Sequence, residues 1–155
     1  MRRLWDGLAH LGGAILALMT LAVFVQVVGR FSGGWALDGL DEVPRYLFVW
    51  LVMLGAAAAM HRGEHTALYF FRDRLGPRGQ ALARVVTDGA AIVLFLSLIR
   101  SSLVLVPNAQ LQTSAGLGLS LGYVYAAVPV GAVLIVLVLA RNLLAALRDL
   151  WQRPS

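Results

Sequence analysis

The chain contains no cysteine, which removes disulfides, thiolate metal centres and thiol redox chemistry together. Lysine is missing too, since all thirteen basic residues are arginine. Charge of either sign is scarce, at 14% of 155 residues against 59% hydrophobic, and mean hydropathy is +0.77. A water-soluble globule of this size needs more polar surface than that, so the composition places the chain in a bilayer. No acid lies near the middle of a long apolar run, and a proton-coupled exporter built on a buried mid-membrane carboxylate therefore lacks its central group. There is no Gly-rich phosphate loop after a strand, no metal-spaced His/Cys set and no nucleophile with a plausible base. The net charge of +5 does not indicate nucleic acid, because the arginines are spread among the connections instead of forming a stripe with interleaved aromatics. Neither an enzyme nor a cofactor is expected.

What is present is a set of apolar runs of spanning length. The expected fold is all-α and integral to the membrane, one domain over 1–155 with four transmembrane helices at about 8–29, 43–60, 85–106 and 122–140. The best-marked stretch is Leu40–His65. Asp41 and Glu42 open a helix with Pro44 in its first turn, where the missing N–H would have had no intrahelical partner, and the carboxylates sit at the positive end of the helix dipole. Arg45 follows Asp41 by four residues, within reach of it or of an outside partner. The run then closes on the polar cluster His61, Arg62, Gly63, Glu64 and His65. Within it, Trp50 belongs to an aromatic belt with Tyr46 and Phe48, and Gly55 with Ala59 offers a close-packing face. Gly13 with Ala17 and Ala127 with Gly131 are further small-xxx-small pairs.

Between the second and third spans, Leu68, Phe71 and Leu75 recur at helical spacing, which predicts a short amphipathic interfacial helix at about 66–75. Tyr69, Arg72, Arg74 and Arg78 there are candidates for holding anionic lipid headgroups. Pro107 and Asn108 are expected to end the third span and Pro129 to kink the fourth. Arg100 falls inside the third span, about 10 Å from the far end expected for it, within snorkelling reach of headgroups. Arginines are dense at both termini and in the 61–86 connection and sparse elsewhere. Positive charge prefers the cytoplasm, so a multi-pass protein of the bacterial inner membrane with both termini on the cytoplasmic side is expected. His10 and His61, near the same end of adjacent helices, leave open a haem-bearing or structural anchor of a redox complex as an alternative.

The stretch DEVPRYLFVWLVMLGAAAAMHRGEH resembles the small membrane subunit, the DctQ-like family, of tripartite ATP-independent periplasmic (TRAP) transporters. The positions that carry it are Asp41, Glu42, Arg45, Trp50, Gly55, Arg62, Gly63 and His65. The likeness extends to Gln26 through Arg30 and to Gln112 through Gly131, and so to most of the chain. Thr66, where an aliphatic residue is common, and Pro44 are departures from the pattern. The resemblance implies a small permease subunit acting as scaffold for a large membrane permease subunit. A periplasmic solute-binding protein would deliver organic acid anions, and sodium would drive their uptake. It makes Asp41, Glu42, Arg45, Trp50, Gly55 and Ala59 the candidates for the subunit interface. No substrate-binding residue is expected here.

Overall fold

The fold comes from a computed structural model that describes residues 2–32, 39–62 and 77–152. Their helices are α1 (Arg2–Phe31), α2 (Glu42–Arg62), α3 (Pro77–Gln110), a single turn α4 (Gly122–Tyr125) and α5 (Ala127–Gln152). Four stretches are long and apolar enough to cross a bilayer: Gly7–Phe31, Glu42–His61, Leu82–Gln110 and Gly122–Arg148. The described residues form an all-α membrane protein with four spans. The interfacial helix expected at 66–75 lies outside the described residues.

The spans form an open row and not a closed bundle. Among the described residues α1 packs substantially on α2 alone, α2 also on α5, and α5 also on α3, giving the order α1–α2–α5–α3. The α5 span is the most enclosed, with 33% of its most apolar window buried against 6–11% for the others. Its sequence explains this. Ala127, Gly131 and Ile135 follow one another at four residues, Val138 and Leu139 lie three and four beyond Ile135, and together they make a wide buried face. In lipid, where tails are as apolar as leucine, helices associate by close approach of small residues, and Gly131 supplies it. A Cβ there would lie 2.6 Å from Met53 Cβ and 3.2 Å from its Cα. Beyond this contact Ala57, Ile135 and Leu139 are fully buried, with Met60 from α2 and Ala91, Ile92 and Phe95 from α3 packed around them.

Both prolines act differently from the sequence expectation. The α3 helix does not end at Pro107 but runs through it to Gln110. Pro107 removes one hydrogen bond, and the last turn is held by packing instead: Ala109 is 2% exposed and the Ser120 hydroxyl donates to the Gln110 carbonyl at 3.2 Å. Pro129 lies in the first turn of α5, and the chain breaks before it, at Ala126, into two helices. A missing N–H costs least in a first turn. The α5 helix then continues past Ala140 to Gln152, about 18 Å further.

The uncharged connection between α3 and α4 is a small hairpin. Leu121 N–H donates to the Gln112 carbonyl at 2.9 Å and Ser114 N–H to the Leu119 carbonyl at 2.8 Å, flanking a Thr113–Ser120 bridge. Gly118 supplies the positive φ of +64° at its tip.

Candidate functional site

Asp41 and Glu42 are neighbours in sequence, about 100° apart around a helix, and this angle separates their fates. The Glu42 side chain turns inward, leaving the residue 9% exposed. One carboxylate oxygen accepts the Gly116 N–H at 3.1 Å and the other the Leu117 N–H at 3.2 Å. The Ser114 hydroxyl and the Tyr46 phenol face the same group as further donors. Two consecutive amides around an anion make a nest, here provided by the chain's own hairpin. Glycine permits the approach on both sides: a Cβ on Gly39, whose φ is +86°, would lie 2.5 Å from the Gly116 carbonyl carbon. Trp50 adds a second strap, its indole Nε1–H donating to the Tyr123 carbonyl at 3.2 Å beside the break at Ala126. Glu42 and Trp50 thus tie α2 to the hairpin and α4 within this chain.

Asp41 points outward and pairs with Arg45, 3.4 Å apart, with side chains 62% and 67% exposed. Below them on the same side of α2 lie Phe48, Val52, Gly55 and Ala59, all exposed. The spacing of 4, 3, 4, 3 and 4 keeps these six residues on one stripe. Nothing lies within 4 Å of a Cβ built on Gly55. Four of the six interface candidates therefore share one stripe that the other described residues leave uncovered, with a charge pair at one end and small residues at the other. Such a surface can pack against another membrane helix; it has no group poised for bond chemistry.

The remaining candidates are placed as follows. Arg62 is the last residue of α2 and Arg78 lies in the first turn of α3. Gly63, His65, Tyr69, Arg72 and Arg74 lie outside the described residues. His10 is exposed and His61 half-buried, and His61 already has an interaction inside the chain. Asp88, 8% exposed, is also partnered. Among the described residues no group of three or more His, Asp or Glu could hold a metal ion.

Sequence reasoning treated Asp41 and Glu42 as one acidic pair and missed the latch. The signal lay in the glycines of NAQLQTSAGLGLSLG, since amides free of side-chain crowding are what a buried carboxylate needs.

Comparison with known proteins places the chain in a family. Residues 19–149 match the family model for the DctQ component of tripartite ATP-independent periplasmic transporters. A Haemophilus influenzae protein, named as a TRAP transporter small permease protein, is 35% identical over 89 residues, covering 57% of this chain and 55% of that one. A Sinorhizobium fredii protein, Uncharacterized protein y4mM, is 29% identical over 144 residues, covering 93% of this chain and 26% of that one. The chain spans about half the length of the first relative and about a quarter of the second. With the family match running over most of its length, from the middle of the first span through the fourth, the chain belongs to the DctQ family of TRAP transporter components.

Proposed function

We propose that the chain is the small permease subunit of a sodium-coupled, binding-protein-dependent transporter of organic acid anions, serving as a scaffold for the large membrane subunit. Family membership supports a transporter subunit. The scaffold reading is supported chiefly by one observation: the described spans form an open row with exposed flanks and a free stripe on α2, a shape suited to widening another protein. The Sinorhizobium relative adds to this, because the matched region is only 26% of it, so a small-subunit-like segment there shares a chain with a much larger remainder. A redox anchor is not favoured by the family match. Vesicles holding this chain alone should take up no organic anion, whereas vesicles that also hold the large subunit, with binding protein and a sodium gradient outside, should. Uptake by the chain alone would refute the proposal.

The proposed orientation has both termini in the cytoplasm and the hairpin in the periplasm, from the arginine distribution. Trp35→Cys and Ala115→Cys should react with an impermeant thiol reagent added to whole cells, and Arg74→Cys should not. The reverse pattern would invert the topology.

A further inference from the structure

Arg100 is the only formal charge between Asp88 and Gln110. With α3 running through Pro107, Arg100 lies ten residues, about 15 Å, from the helix end, deeper than the sequence suggests. Midway between the span limits 82 and 110 is residue 96, so Arg100 sits about 6 Å from the middle of the span. Its side chain is exposed, and no hydrogen bond or ion pair involves it among the described residues. The buried side of α3 carries Ile92, Phe95, Ser102 and Ala109, of which Ile92 and Phe95 pack around Ile135 and Leu139 of α5. Arg100 is five residues after Phe95 and two before Ser102, which at 100° per residue turns it away from that side. It therefore occupies the free edge of the row, among the exposed apolar residues Leu96, Leu103 and Val104.

A guanidinium there is costly in lipid unless it is paired or hydrated, and a carboxylate is its strongest partner. Reaching the nearer headgroups means reaching toward the C-terminal end of α3, yet Cα–Cβ bonds in a helix tilt toward its N-terminus. The first bond of this side chain therefore points away from the nearer headgroups, which works against snorkelling. The opposite edge of the row, α1, has no formal charge from Gly7 to Gly29 and exposes Ala17 and Phe24, a surface lipid can cover.

We infer that the α3 edge is a seam with the large membrane subunit, and that Arg100 pairs there with a carboxylate on a partner helix near mid-bilayer depth. This rests on the proposed subunit role. Helix axes lie about 8–10 Å apart, so a partner that touches both this edge and the α2 stripe, two helices away, spans about 20 Å and has many helices.

The test uses the full chain co-expressed with its large subunit. A photo-crosslinking residue at Leu96 or Val104 should capture the large subunit at least about fivefold more efficiently than one at Ala17 or Phe24. Arg100→Leu should lower the co-purified large subunit by about tenfold or more, and Arg100→Lys should retain most of it. Leucine at an exposed apolar edge leaves the helix intact, which monodispersity and helical circular dichroism of the variant will check. Capture mainly from the α1 positions would overturn the seam. So would an Arg100→Leu chain that keeps its partner and loses only bound anionic phospholipid, because the guanidinium would then serve headgroups. Failure of the parent chain to bring down a larger membrane chain would refute the subunit role itself, and the seam with it.

Discussion

Replacing Glu42 with alanine should release the 111–121 hairpin from α2. Deuterium uptake in peptides spanning Gly116 and Leu117 should rise roughly tenfold or more, since both amides lose their acceptor and exchange follows local opening. Glu42→Gln keeps one oxygen and should fall between, because an amide oxygen can serve one of the two donors well but not both. The hairpin is also packed through Gly39 and Gly116, so the release should be local and the four spans should remain inserted. If the hairpin sets the surface presented to a binding protein or to the large subunit, uptake by the assembled system should fall in the same order, with alanine lowest. Unchanged exchange in the alanine variant would mean that the Gly39–Gly116 packing and the Trp50 strap hold the hairpin without the carboxylate.

Asp41→Ala and Arg45→Ala should each cut uptake in cells about tenfold or more while leaving the subunit inserted and expressed. As a local feature the pair is weak: an i,i+4 ion pair contributes about 0.2–0.5 kcal/mol, and exposure of both side chains leaves it open to screening by salt. A partly desolvated charge contact with a partner that loses one member costs on the order of 2–5 kcal/mol. A tenfold loss corresponds to about 1.4 kcal/mol, which the local pair cannot supply and a partner contact can. Uptake and co-purification at parental levels in both variants would confine Asp41 and Arg45 to helix-end chemistry and move the contact down the stripe to Gly55 and Ala59.

The contrast between these two carboxylates shows how far the sequence could be read. The four spans were legible because run length and charge scarcity are composition-level signals that the bilayer enforces. The Asp41–Arg45 pair was legible because its partners are four residues apart on one helix. The Ala127–Gly131 packing face was also legible, with Gly131 against Met53. The Glu42 latch was not, since its acceptor oxygens meet backbone amides 74 and 75 residues away, and a backbone amide has no side-chain identity to mark it. Trp50 read as a belt residue for the same reason, its partner being the Tyr123 carbonyl. Pro107 misled because local propensity ends a helix there while burial of Ala109 and the contacts of Gln110 with Ser120 and Gly122 continue it. The order α1–α2–α5–α3 depends on which small residues meet, and several small pairs on different helices were equally eligible.

In the proposed role this chain works as part of a larger membrane complex. The most direct measurement of that role is affinity purification through a tag on this chain, from membranes that also hold the large permease subunit, in mild detergent and at increasing salt. The expected result is one stable complex containing both chains, persisting at salt concentrations that dissolve exposed ion pairs, since most of the contact is apolar helix packing. Recovery of this chain alone under every condition, from membranes that nonetheless show sodium-driven uptake of the anion, would contradict it.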